Sequence, residues 1–107
     1  MNKDYVLTKF LKGLKPFEED KIKKIYLFGS RARGTERPDS DYDLLLVVRQ
    51  DFSLADKDKL YERVMDTLLE TGRLVSLKIF KEKEFKRLCD LETPFTRTVL
   101  KEGIEIG

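Results

Sequence analysis

Apolar residues in this chain occur in two patterns, and the alternation of these patterns predicts an α/β domain. Helical spacing is found around residues 5–14, 54–71, 82–89 and 94–102. Short apolar runs at residues 25–28 and 44–48 predict strands, and residues 74–80 predict a third. Ile104 and Ile106 predict a last extended piece after the final helix.

Residues that favour the start or the end of a helix lie at the boundaries of the predicted helices. Ser53 and Asp56 predict a capped start for the second helix, with Asp in place of the usual Glu or Gln of a capping box. The remaining signals are Asp4 as a first cap, Gly13 and Pro16 as an interruption of the first helix, Gly72 as a stop, Thr93-Pro94 as a start and Gly103 as a stop.

The run at residues 44–48 is apolar without alternation, which is typical of a strand covered on both faces. Strands that alternate with helices indicate an α/β (α+β) fold, here a small mixed β-sheet with helices packed around it. The length of 107 residues suits one domain over residues 1–107.

The charge balance limits the classes of function. Twenty-two basic and 20 acidic residues give a net charge of +2, which disfavours general nucleic-acid binding. The absence of histidine excludes Ser-His and Cys-His catalysis and His-ligated metal sites. Any metal would be held by oxygen ligands, and Cys89, the one cysteine, predicts a small buried apolar side chain.

No apolar run is long enough for a signal peptide or a membrane span. A single cysteine fits a reducing compartment. We therefore expect a cytoplasmic protein that does not bind membranes.

A phosphate-binding turn is predicted directly after the first strand. Gly29 has no Cβ, so a ligand can approach the backbone closely. Ser30 can donate its hydroxyl to a phosphate oxygen, and Arg31 and Arg33 can each donate paired hydrogen bonds. The chain has no GxxxxGK[ST] motif, so this is not a P-loop site.

A carboxylate pair is predicted at the start of the next strand. Residues two apart in a strand point to the same side, so Asp41 and Asp43 would project together and Tyr42 away from them. A divalent cation would relieve the repulsion between the two carboxylates, and Mg²⁺ prefers a few carboxylates together with substrate phosphates. Taken singly, these residues also suit a turn glycine, a helix cap and surface polar positions; it is their combination that predicts nucleotidyl transfer.

The stretch from Tyr26 through Gly34, followed by Ser40 through Leu44, strongly resembles the minimal nucleotidyltransferases of the DNA polymerase β superfamily. Their pattern is Gly-Ser, ten residues, then Asp-x-Asp, and residues 31–40 are those ten here. Residues 94–104 also resemble the end of such domains. The resemblance covers nearly the whole chain.

The resemblance implies a nucleotide-binding transferase that uses Mg²⁺. Gly29 and Ser30 would hold the phosphates of an NTP, with ATP the expected one, and Asp41 and Asp43 would bind the metal and serve catalysis. The product would be a nucleoside monophosphate joined to an acceptor. Members of this family often pair with a small helical HEPN protein, in some cases as toxin and antitoxin, and some add AMP to a tyrosine of that partner.

One position departs from the family pattern. The third carboxylate of the family is expected in the next strand, where this chain has Ser76 and no acidic residue from 74 to 80. Glu70, Glu82 or Glu84 would replace it only if the fold brought one of them inward. Lys78, on the same strand face as Ser76, is either a phosphate contact or an ordinary exposed lysine.

Two functions therefore stay open from the sequence. The first is a Mg²⁺-dependent nucleotidyltransferase of the protein adenylyltransferase type. The second is a nucleotidyltransferase-fold module that has lost turnover and acts by masking a partner protein.

Overall fold

A computed structural model describes residues 5–18, 21–29 and 41–106. Within them the chain forms four helices and four strands. The helices are α1 (Tyr5–Glu18), α2 (Leu54–Thr71), α3 (Glu82–Asp90) and α4 (Pro94–Glu102). The strands are β1 (Ile22–Phe28), β2 (Tyr42–Val48), β3 (Val75–Lys81) and β4 (Ile104–Glu105).

The strands form one mixed sheet in the order β3-β2-β1-β4. β1 pairs antiparallel with both β2 and β4, whereas β2 and β3 run parallel. The parallel pair requires a crossover, and α2 supplies it. The predicted small mixed sheet is thus confirmed.

Helices pack on both faces of the sheet, and each face has its own apolar core. One face carries α1 and α2, whose Phe10, Leu14 and Leu60 pack with the even-numbered residues of β2. The other carries α3 and α4, whose Phe85 and Val99 pack with Leu45 and Val47. β2 is buried on both faces, as its unbroken apolar run predicts.

The chemistry at most helix ends agrees with the prediction. Ser53 and Asp56 form a complete capping box, Gly72 ends α2 with a left-handed backbone at φ 72°, and Thr93 caps α4. Ile104 begins a two-residue strand. β1 begins at Ile22, three residues before the apolar run that predicted it.

The predicted interruption of the first helix at Gly13 and Pro16 is wrong, because α1 continues to Glu18. A Cβ added to Gly13 would lie 2.9 Å from Cδ of Arg63, so this glycine allows α1 and α2 to approach closely. Pro16 falls in the last turn, where its missing N–H removes one hydrogen bond and the helix is about to end.

No helix in the described part of the chain is both long and apolar enough to cross a membrane.

Candidate functional site

The topology brings three strand ends together at one end of the sheet. β1 finishes where β2 begins, since the two are antiparallel, and β3 begins beside β2, since those two are parallel. In this register Asp43 lies opposite Phe28 on one side and Ser76 on the other. Residues far apart in sequence are therefore neighbours around Asp43.

Gly29 and Asp43 lie in close contact at this site. Gly29 follows β1 with φ 75°, a left-handed conformation that side chains other than glycine rarely adopt. A Cβ built on Gly29 would collide with the Asp43 carboxylate, lying 3.2 Å from its Cγ and closer still to Oδ2. The carboxylate thus occupies the space that glycine leaves, which places the turn and the acid side by side.

Tyr42 agrees with the predicted alternation at the start of β2. Tyr42 is 4% exposed and packs in the α1/α2 core, and its N–H donates to the Leu74 carbonyl over 3.0 Å. Asp41 directly precedes the strand and is exposed, whereas Asp43 is half-buried. Tyr42 therefore faces away from Asp43, as the sequence predicted.

Ser76 lies in register with Asp43, on the neighbouring strand. Val75 is buried in the α1/α2 core, and Leu77 packs against it, so Ser76 between them faces the same side as Asp43. This is the position at which the resemblance implies a third carboxylate. The structure places an exposed, neutral hydroxyl there instead.

None of the three glutamates named as substitutes lies beside Asp43. Glu70 pairs with Lys9 on the α1/α2 side. Glu82 and Glu84 follow the far end of β3, where Glu82 lies 3.9 Å from Lys23 and Glu84 accepts the Lys81 N–H over 3.2 Å. Each of them has a structural partner away from Asp43.

The acidic residues at this strand end are of the type that Mg²⁺ binds. No group of three or more acidic, histidine or cysteine side chains within the described residues could hold a metal ion. Asp41 and Asp43 offer two carboxylates at an accessible strand end. Two carboxylates with room for substrate phosphates and water are the ligand set that Mg²⁺ accepts.

Three of the predicted phosphate-binding residues, Ser30, Arg31 and Arg33, lie outside the described residues. Their assignment remains a prediction from the sequence.

An aromatic wall beside the site was not predicted. The ring of Phe28, next to Gly29, meets Phe95 edge-on at 5.7 Å, and Phe95 lies 6.2 Å from Phe80. Phe28 and Phe95 are only partly buried. The sequence signal was the phenylalanine directly before the glycine turn, which also fits an ordinary strand residue.

A groove of about 440 Å³ between α1 and α2 lies on the opposite face of the sheet from Asp43. Two ion pairs lie in this groove, Lys9 with Glu70 and Arg63 with Asp66 at 3.2 Å. Its position separates it from the carboxylate site.

A mixed sheet with a glycine turn facing a strand-borne acid is the arrangement of the nucleotidyltransferase fold, the class to which the molecule belongs. The sequence model of the family described as "Polymerase beta, Nucleotidyltransferase" matches residues 12–106. The chain therefore belongs to the polymerase β-type nucleotidyltransferase family.

Two proteins of Methanocaldococcus jannaschii, both provisionally named protein adenylyltransferases, are similar to this chain. The first is 34% identical over 103 residues, which is 96% of each chain. The second is 29% identical over 101 residues, 94% of this chain and 95% of the other.

Solved structures share the fold at lower identity. A mutant of the toxin–antitoxin MntA-HpeT matches with a TM-score of 0.59 at 20% identity, over 94% of this chain and 71% of the other. A toxin–antitoxin solved with AMP-PNP matches with a TM-score of 0.55 at 20% identity, over 92% of this chain and 69% of the other. These likenesses confirm the predicted fold.

Proposed function

We propose that this nucleotidyltransferase moves AMP from ATP to a hydroxyl of a protein acceptor and depends on Mg²⁺. The observation that carries the proposal is the contact between Gly29 and the Asp43 carboxylate. The contact supports the proposal because Gly29, where the phosphates would bind, lies beside an acid at one strand end, with Asp41 two residues from Asp43. Triphosphate and metal would then share one small site.

The assigned roles follow from the position and chemistry of each residue. Asp41 and Asp43 hold Mg²⁺, and the backbone at Gly29, with Ser30, Arg31 and Arg33, binds the phosphates. The metal, when bound, neutralises phosphate charge and so makes the α-phosphorus easier to attack. The protein's own contribution is to position the phosphates and to balance charge.

The reaction conserves atoms and charge without a further reactant. The acceptor hydroxyl oxygen bonds to the α-phosphorus of ATP, and the bond from that phosphorus to the bridging oxygen of the β-phosphate breaks. Pyrophosphate leaves with the bonding electrons. The hydroxyl proton passes to solvent, and AMP stays on the acceptor.

A tyrosine of a HEPN-type toxin partner is the proposed acceptor. The two archaeal relatives, provisionally named protein adenylyltransferases, support a protein acceptor. The toxin–antitoxin structures that share the fold support a toxin partner. The HEPN class and the tyrosine come from the resemblance of the Gly-Ser and Asp-x-Asp motifs.

Transfer of label from α-³²P-ATP to the co-expressed partner tests the proposal. Wild type with Mg²⁺ is expected to label the partner, and EDTA or the double variant Asp41→Asn/Asp43→Asn is expected to reduce labelling at least about 100-fold, because charge-stabilising groups contribute at that scale. Asp58→Asn/Asp90→Asn removes the same charge from exposed helix positions and should label normally. Full labelling by the Asp41/Asp43 variant would refute the site.

One observation favours a second function. Ser76, in register with Asp43, brings no charge to the place where a third carboxylate is implied. Transition-state charge would then be less well compensated, and the domain would act by binding and masking its partner. This reading requires nucleotide or partner binding without measurable transfer.

Ser76→Asp separates the two functions. The new carboxylate would lie beside Asp43 on the next strand, about 4.8 Å away between Cα atoms. If the wild type is a masking module, the variant should gain transfer of about tenfold or more, whereas Ser76→Asn, of equal size and no charge, should not. An unchanged rate in both variants would exclude a role for the missing carboxylate.

A further inference from the structure

Lys78 stands out on the strand face that carries Asp43 and Ser76. In the parallel register Ser76 lies opposite Asp43 and Lys78 opposite Leu45, so the two strands present these four residues together. Phe80, two residues further on, packs in the α3/α4 core, which fixes the face of this part of β3. Lys78 therefore faces the carboxylate side of the sheet.

The distance is within reach of a lysine side chain. A strand spacing of about 4.8 Å and a rise of about 3.3 Å per residue put the Cα atoms of Lys78 and Asp43 about 8 Å apart. The flexible four-carbon stem of a lysine spans most of that distance. Its ammonium can lie in front of Asp43, where the proposed phosphates would be.

Within the described part of the chain, Lys78 is available for a ligand. It lies on β3, an outer strand of the sheet, and its residue is exposed. The ion pairs between described residues do not include it. By contrast, Lys23 at the other end of the sheet pairs with Glu82.

The charge balance of the site favours such a cation in addition to the predicted Arg31 and Arg33. A nucleoside triphosphate carries more negative charge than one Mg²⁺ neutralises, and Asp41 and Asp43 add two further carboxylates. A third carboxylate at position 76 would add to that excess but would also help to hold metal. With a serine there, a cation supplied by the protein is the direct way to offset the phosphates.

We infer that Lys78 is a phosphate-binding residue of this site, contacting the triphosphate of the nucleotide next to the Asp43 carboxylate. The inference rests on the proposed function and extends it. Lys78 binds and positions the nucleotide, and its ammonium offsets part of the negative charge of the phosphates.

Calorimetric titration of the full chain with AMP-PNP and Mg²⁺ tests this inference. Lys78→Met is expected to weaken binding about tenfold or more, because a hydrogen bond to a charged group contributes at that level. Lys78→Arg keeps the charge and should bind within about threefold of wild type. Lys24→Met is the matched control, since Lys24 is an exposed strand lysine paired with Val47 at the far end of the sheet.

The outcomes separate this inference from the proposed function. If wild type binds and Lys78→Met, folded by circular dichroism, binds equally well, Lys78 is not a phosphate contact and the proposed function still stands. If wild type itself does not bind the nucleotide, both fail. Loss of binding in Lys24→Met as well would trace the effect to general charge and overturn the assignment.

Discussion

Gly29 and Asp43 depend on each other at the scale of single residues. The glycine has a left-handed backbone, and the carboxylate fills the place of its missing side chain. A position can require glycine because its backbone is left-handed or because there is no space for a Cβ. Both reasons apply to Gly29. Gly72 shares the backbone conformation, at φ 72°, but a Cβ there would meet nothing within 4 Å.

This contrast gives a matched pair of variants. Gly72→Ala should lower the free energy of unfolding by about 1–2 kcal/mol, the cost of a left-handed backbone for a residue with a Cβ. Gly29→Ala should cost more than that, because its Cβ also displaces the Asp43 carboxylate. Urea unfolding of both variants measures the difference.

A double variant isolates the contact. In an Asp43→Ala background the clash is absent, so Gly29→Ala should then cost about as much as Gly72→Ala. If Gly29→Ala lowered the free energy of unfolding equally in the wild-type and Asp43→Ala backgrounds, the carboxylate would not constrain the turn.

At the scale of elements, three hydrogen bonds between Ser53 and Asp56 define the start of α2. The Asp56 carboxylate accepts hydrogen bonds from the Ser53 N–H at 2.8 Å and the Ser53 hydroxyl at 2.9 Å, and the Asp56 N–H donates to Ser53 Oγ at 3.1 Å. The bonds from Ser53, with a smaller contribution from Lys21, lower the pKa of Asp56 below its usual value of 3.8. The capping box therefore works with Asp in the place of Glu.

The lowered pKa predicts a pH dependence. Because the folded-state pKa lies below the unfolded one, the charged form of Asp56 stabilises the fold fully above about pH 4 and progressively less as pH falls through the folded pKa. The difference in melting temperature between wild type and Asp56→Asn should be constant above about pH 5 and should shrink below pH 4.

Ser53→Ala provides the control, since it removes the hydroxyl partner and leaves the carboxylate in place. The difference in melting temperature between Ser53→Ala and Asp56→Asn should also become smaller at low pH. If the difference in melting temperature between wild type and Asp56→Asn stayed the same down to pH 2, protonation of the capping carboxylate would not affect stability.

At the scale of the whole molecule, the sequence predicted the layers better than the site. The unbroken run of β2 predicted a strand buried on both faces, since only such a strand tolerates apolar residues at every position. Helix ends were predicted where cap chemistry is local, as at Ser53 and Thr93. Gly13 misled because a glycine at a helix crossing looks the same in sequence as a glycine that ends a helix.

The sequence could not predict which residues are neighbours across the sheet. The motif spacing placed Asp41 and Asp43, but the contact between Gly29 and Asp43 depends on the register of β1 and β2. The wall of Phe28 and Phe95 joins residues 67 positions apart (95 minus 28), which no local pattern encodes. The resemblance put Ser76 at the third-carboxylate position of the next strand, and only the parallel register shows that it lies opposite Asp43.

The most direct test of the central claim is calorimetric titration with ATP, with and without Mg²⁺, for wild type and for Asp41→Asn/Asp43→Asn. A site made of these aspartates predicts binding by wild type that requires Mg²⁺ and is lost, by about tenfold or more, in the double variant. Binding of equal strength in the double variant, or binding indifferent to Mg²⁺, would contradict a metal-dependent nucleotide site at Asp41 and Asp43.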